Sequence, residues 1–334
     1  MSRSQQNADY LSASNYGVKN KIINGNFDVW QRGTSISVTA SATYTADRYV
    51  AYYDGTGATR TVSREAFTVG QTDVPYEPRY FLRYAQTVAG SGATYTHLAN
   101  RIEGVRTFAG QTVTLSFYAK FASTTSIDVK ANQIFGSGGS PSTNVVTNFG
   151  FNFSVGTAWT KYTFTLTLPS IAGKTLGTNN DDIFDIFFTL PINTTFTFDI
   201  AQIQLEAGSI ATPFEQRPFG TELALCQRYY EKSYNQVETP GTISSGGCAA
   251  YVAANSTNGE HSMVCFRVSK RTTPTITYYS TVTGTPGKVR NATTNADISS
   301  SYSNIVGESS YAGFGVATTT GNLYLWHWTA SAEL

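Results

Sequence analysis

Charge, cysteine and histidine are all scarce in this chain. Asp, Glu, Lys and Arg together make up 13% of 334 residues, and the formal net charge is +1. That charged share is about half the usual one. Proteins that bind nucleic acid carry a basic excess, because phosphate neutralisation supplies most of their affinity. A balance this close to neutral argues against DNA or RNA as the main ligand. Three cysteines, Cys226, Cys248 and Cys265, are an odd and sparse set for so long a chain. They form no CxxC and no paired framework, so they are expected to be buried free thiols. The histidines His97, His261 and His327 are scattered, which argues against a zinc site. No apolar run approaches the ~20 residues that span a bilayer, so no membrane insertion is expected. The N-terminal MSRSQQNADYLSASNYGVKN lacks the apolar core of a secretory signal, so the chain is expected to be made and to fold in a cytoplasm. There is no GxSxG, no HExxH and no phosphate loop.

Thr, Ser, Asn and Gly stand where the missing charges would be, alongside 21 Tyr and 20 Phe. Thr and the aromatics fit a pleated, half-buried surface, while Gly and Asn supply the positive φ of turns. The composition predicts an all-β protein, long enough for two domains with a core in each.

Residues 1–19 are polar and aperiodic and cannot bury enough surface to offset chain entropy. They read as an attachment arm held by another subunit or protein, or else as a free tail. Residues 20–219 carry repeated strand alternation. In Thr112–Phe121, Val113, Leu115, Phe117, Ala119 and Phe121 alternate with polar neighbours. In 161–168, Tyr162, Phe164, Leu166 and Leu168 do the same. Both predict antiparallel strands with one dry face and one wet face. The more uniformly apolar 183–190 (IFDIFFTL) suggests a central strand. In 196–205 the apolar phase runs Phe196, Phe198, Ile200, then slips to Ile203 and Leu205. A slip within one strand predicts a bulge or a change of sheet. The sum is an antiparallel jelly-roll sandwich, in which 24–33 (NGNFDVWQRG) and 196–226 supply the first and last strands.

In 220–235 the period changes: Leu223, Cys226, Tyr230 and Tyr234 share a helical face, with Thr221 as N-cap. A short linker helix is expected there, needing a docking surface to persist. Residues 236–334 return to short strands at 248–253, 262–268, 275–281, 312–317 and 323–329, separated by Gly and Pro turn signals. They form a second, smaller β domain without any fixed-period repeat.

The strings KIINGNFDVWQRG, TVTLSFYAKF, FDIAQIQLEAGSIATPFEQRP, GTELALCQRYYEKS and the final LYLWHWTASAEL carry a resemblance. Over residues 20–232 the chain is similar to the carbohydrate-binding-like jelly-roll domains of bacteriophage tail fibres and other virion appendages. That resemblance implies a virion structural protein, made in the host bacterial cytoplasm and built as a homotrimer. It implies an N-terminal segment attached to other virion proteins and β domains that touch host surface polysaccharide. A short helix and an unsupported arm in a low-charge chain fit completion by symmetric association. A glycan depolymerase of the tailspike kind, or a structural connector or head decoration without glycan affinity, are the alternatives.

Three sets of residues are candidates for function. The resemblance implies a structural Ca²⁺ held by Asn24, Asn26 and Asp28 with Asp199, although the family pattern has Glu for Asp and a second acid. Asn and Asp at turns and strand ends account for the same residues without a metal, and no other cofactor is expected. Sugar rings stack on Trp and Tyr, which points to Trp159, Tyr324, Trp326 and Trp328. The last three share one face of a strand opposite Leu323, Leu325 and His327, so they either bind glycan or pack in a core or subunit interface. Asp181, Asp182 and Asp185, with Glu206 and Glu215, are the carboxylates for a glycosidase pair, or else turn caps. Trp30 is expected in a core or interface, and Arg32, Asp47 and Arg48 as an internal pair that holds a loop.

Overall fold

Alternation along the chain sorts twelve strands into two antiparallel sheets, with consecutive strands crossing repeatedly from one to the other. The computed structural model describes residues 19–254, 263–299, 305–312 and 319–334. The expected attachment arm, apart from residue 19, lies outside the described residues, as do residue 262 and most of the strand expected at 312–317. Sheet 1 has the order β1 (Ser35–Ser37), β4 (Thr59–Ala66), β5 (Tyr80–Val88), β12 (Phe196–Ala207), β7 (Thr112–Phe121) and β10 (Thr160–Thr167). Sheet 2 has the order β2 (Ala42–Tyr44), β3 (Tyr49–Tyr53), β6 (Thr96–Glu103), β11 (Ile183–Thr189), β8 (Thr125–Ile134) and β9 (Val145–Val155). The inward set of β7 is the one the alternation predicts, from Val113 to Phe121. It meets Phe184, Ile186 and Phe188 of β11 in one continuous core, with Phe117 edge-on to Phe188 at 5.0 Å. This is the all-β class that the composition predicts and the jelly-roll sandwich that the strand alternation predicts.

The slip in β12 is a bulge. Its pairing with β7 shifts between Ala201 and Gln204, so Ile200 and Ile203 both face the core although three residues apart. Gln202 at the bulge has φ +49° and turns outward. The opening segment 24–33, expected as a strand, is instead irregular and lies across this bulge. Lys21 N–H donates to Leu205 O and Ile203 N–H to Gly25 O, at 3.0 and 2.9 Å. A Cβ on Gly25 would overlap the Ile203 carbonyl, so a bare backbone is required there. Trp30 is buried as expected and donates from Nε1 to Phe27 O at 2.8 Å.

The linker helix is shorter than the periodicity predicts. It spans α1 (Phe219–Gln227), begins after Pro218 without a side-chain cap, and stops before Tyr230. Tyr230 and Tyr234 continue the helical phase in sequence but belong to β13 (Tyr230–Lys232) and the loop after it. The second β unit centres on β20 (Leu323–Ser331). This strand pairs with β13, β14 (Ala249–Val252), β16 (Thr275–Tyr279) and β17 (Lys288–Asn291), while β18 (Ala296–Ser299) extends the sheet beyond β17. β15 (Met263–Cys265) and β19 (Ser310–Ala312) form a separate ladder.

The two units are joined by buried charge. Glu333 takes an ion pair from Arg32 at 3.0 Å and another from Arg48, and the two guanidiniums lie over Tyr230 and Tyr229 at 3.7 and 3.5 Å. The loop pair expected among Arg32, Asp47 and Arg48 is therefore not what holds that loop. Asp47 accepts from the Gln31 backbone and side chain, both at 2.7 Å, and the arginines reach across to the far end of the chain. Burial raises the Asp47 carboxyl, while Arg32 and the Gln31 donors oppose the shift.

Candidate functional site

The outer face of sheet 2 gathers rings and polar groups that lie far apart in sequence. Register sets three rows across it. Tyr52 lies beside His97, His97 beside Thr189, and Thr189 beside Asp128. Val50, Ala99, Phe187, Lys130 and Asn148 make the second row, and Arg101, Asp185 and Asn132 the third. These are the outward residues because the alternate set, Leu98, Ile102, Phe184, Ile186 and Phe188, is taken by the core. Tyr95, His97 and Phe187 form a ring series with centroid spacings of 5.3 and 4.7 Å. Lys130 pairs with Asp128 at 3.1 Å beside them.

Several polar atoms on this face are buried and have no hydrogen-bond partner: Asp185 Oδ1, Asn132 Oδ1, Thr189 Oγ1 and Arg101 Nε. Leaving such an atom unpaired costs roughly 1–3 kcal/mol, which a ligand hydroxyl can recover. Burial raises the Asp185 carboxyl to about 7, against the pull of Arg101 and Arg48. Burial lowers His97 to about 4, helped by the Lys130 charge, so its ring is neutral near pH 7. One end of the face is walled by the chain's last residues, where Tyr44 Oη donates to Leu334 O at 2.6 Å and Arg101 binds the same oxygen. Neutral rings beside unpaired oxygens suit a polyhydroxylated ring: its CH face against the rings, its hydroxyls donating to the oxygens.

The residues singled out from sequence sit elsewhere. Tyr324, Trp326 and Trp328 are 1%, 0% and 6% exposed and form the core of the second unit. Trp326 Nε1 donates to Tyr311 Oη at 3.2 Å, and Phe266 packs on Trp328 at 5.6 Å. Glycan contact by this stripe is thus corrected to packing. Both faces of β20 carry large apolar residues, and the ring-bearing face gains more by burial. Trp159 is half-buried at the edge of the opposite sheet, against Phe67 and Phe81 with Lys120 over it.

Of the four residues proposed for Ca²⁺, protein partners take Asn24, Asp28 and Asp199 and the amide nitrogen of Asn26, while Asn26 Oδ1 is left without one. Asn24 is fully buried, donates to Val29 O and Asp47 O, and accepts from Val29 N–H. Asn26 donates to Asp28 at 3.1 Å, and Asp199 takes a bidentate pair from Arg83 at 2.7 and 2.9 Å. Among the described residues no group of three or more His, Cys, Asp or Glu is placed to hold a metal ion. The acids considered for glycosidase chemistry are likewise dispersed. Asp181 caps Ser137 and Asp182 caps Val105, Glu206 holds Thr212, and Glu215 accepts from Asn20 N–H.

No protein-family model matches the chain, and no curated protein matches it in sequence. Among solved structures, the sandwich is similar to a CBM4 module at 20% identity and a TM-score of 0.34, covering 56% of this chain and 99% of that one. It is similar to the CBM22-1 xylan-binding domain of Paenibacillus barcinonensis Xyn10C at 10% identity and a TM-score of 0.33, over 58% and 100% of the two chains. It is also similar to the enzymatically active domain of bacteriophage CBA120 tailspike protein 4, at 15% identity and a TM-score of 0.32, over 48% of this chain and 19% of that one. The likeness is one of fold.

Proposed function

We propose that this chain is a phage virion appendage protein, a tail fibre or spike, that adsorbs to host cell-surface polysaccharide through the outer face of sheet 2. The observation that supports glycan binding is the coincidence on one face of the Tyr95–His97–Phe187 ring series with the unpartnered oxygens of Asp185, Asn132 and Thr189. Support for the virion role comes from the strings around 21–33, 112–121, 198–218 and 220–233 and from the low-charge, Thr- and Tyr-rich composition. In this reading residues 1–19 attach to other virion proteins and three copies assemble, so that weak single-ring contacts gain strength by multivalency. The role is adsorption without cleavage.

The test is binding of purified protein to host capsule and lipopolysaccharide, with His97→Ala as the comparison. Retained binding in wild type and at least a fivefold loss in the variant are expected. Blank binding to every host glycan refutes the reading. New reducing ends on incubation convert it to a depolymerase. Mass photometry is expected to give a trimer, and a monomer at working concentration removes the avidity argument.

A further inference from the structure

We propose that the opposite face of the sandwich carries a second ligand site, independent of the sheet 2 platform: a pocket for one neutral sugar ring built around Gln202. The bulge in β12 carries the argument. It turns Gln202 out of the strand phase at φ +49° and into a depression of about 220 Å³ on the outer face of sheet 1. Bulges commonly re-aim a side chain in this way beside functional sites. Gln202 is 2% exposed; its Nε2 donates to Pro75 O at 2.7 Å, and its Oε1 is buried without a partner. An amide fixed by its nitrogen and left open at its oxygen is an acceptor held for a donor.

The walls around that oxygen suit a sugar. Tyr76, Tyr118 and Phe214 present rings, and Lys161 and Thr212 present polar groups at the rim. Tyr76 is 55% exposed, so more than half of its surface is available to a ligand. The loop that carries it is held in an unusual shape: Tyr76 and Glu77 both have positive φ, at +68° and +48°. Non-glycine residues persist there only when the surroundings fix them. Here Gln202 holds Pro75 O and Gln216 holds Tyr76 O at 3.1 Å. The same glutamine therefore builds the wall and offers the acceptor.

The neighbouring depression sets the charge preference. It shares Tyr76 and Phe214, has a volume of about 290 Å³, and sets the carboxyls of Asp28, Glu77, Glu215 and Glu222 against the guanidiniums of Arg79 and Arg217. Asn26 Oδ1 in its lining is a further buried acceptor without a partner. Acceptors, and four carboxyls against the two guanidiniums and the Lys161 ammonium, favour a ligand that donates over one that is anionic. A neutral pyranose fits and a uronic acid does not.

The test uses methyl β-glucopyranoside, N-acetylglucosamine and glucuronic acid as probes in saturation-transfer NMR on the full chain. A dissociation constant on the order of millimolar is expected for at least one neutral probe, as befits one small ring. Tyr118→Ala is expected to weaken it at least threefold, and Ala211→Trp, which fills the pocket while keeping the Gln202 side chain, to abolish it. Gln202→Leu is expected to lose it at least tenfold, its fold checked by circular dichroism. All of these variants are compared in a His97→Ala background, which removes the central ring of the sheet 2 platform, so that the pocket is scored separately from the platform. Neutral-probe signal that survives Ala211→Trp, equal binding of glucuronic acid, or no signal with any probe overturns the proposal.

Discussion

Removing the Glu333 carboxylate is the perturbation that tests how the two units are joined. The acid side chain is 7% exposed and sits between Arg32 and Arg48, whose side chains are 14% and 1% exposed. In Glu333→Ala the two guanidiniums keep their places over Tyr230 and Tyr229 but lose the anion between them. Asp47 cannot replace it, since its oxygens are held by Gln31. Breaking a buried pair from one side costs about 3–5 kcal/mol. The retained ring contacts offset part of that, because a desolvated cation over an aromatic face is stabilised by ~2 kcal/mol. A loss of about 2 kcal/mol is therefore expected, which lowers the melting temperature by roughly 3 °C in a chain of 334 residues, whose unfolding entropy is about 2.1 cal/mol/K per residue. Urea denaturation followed by near-ultraviolet circular dichroism measures it. Glu333→Gln, which keeps an acceptor oxygen, is expected to lose less. A Glu333→Ala loss under about 1 kcal/mol at low salt refutes the argument that this carboxylate holds the junction.

Asp185 gives a pH signature. Its carboxyl is raised from 3.8 to about 7 in the fold, so the native state binds the proton that the unfolded chain releases. Its contribution is favourable below pH 4 and is lost as pH rises through 7. Asp185→Asn is expected to lack that decline and to exceed wild type in urea midpoint at pH 8; equal midpoints count against the assignment. His97 contributes with the opposite sign, stability rising between pH 4 and 6.5, and His97→Phe is expected to flatten the acid limb of the melting curve. Trp326→Ala is expected to cost about 3–5 kcal/mol through the cavity it leaves, with glycan binding measured in the cold unchanged. Cys265 is exposed and Cys226 fully buried, so a thiol reagent is expected to label Cys265 quickly and Cys226 only on unfolding.

Local alternation made the sandwich legible, because a strand with one dry face writes its phase into its own residues. The Ile203–Leu205 slip located the bulge for the same reason. Helical phase misled at Tyr230 and Tyr234, since two tyrosines at that spacing also suit a short strand and its following loop. The Tyr324–Trp326–Trp328 stripe showed that β20 has two faces but not which one is inside, because both are apolar. The ring-bearing face of sheet 2 was hidden for a different reason. Tyr52, His97, Lys130 and Phe187 meet only through inter-strand register, which no local pattern records. The one sequence trace was Asp185, the single charge within IFDIFFTL, which marks the outward phase of a strand read as more uniformly apolar. Gln202 was equally marked by the slip, but a bulge predicts that a side chain is re-aimed and not what it finds.

The position of β20 has a consequence for how the second unit comes into being. Strands from 230, 249, 275 and 288 all await a single late partner at 323–331, and none of the first three pairs with another of the four. During vectorial synthesis their edges stay open until that partner leaves the ribosome, while the sandwich, whose strands all precede residue 208, has already closed. Removing Leu323–Ser331 would therefore not trim this unit but leave β13, β14 and β16 without their ladder and β17 with β18 alone, exposing edges that invite aggregation.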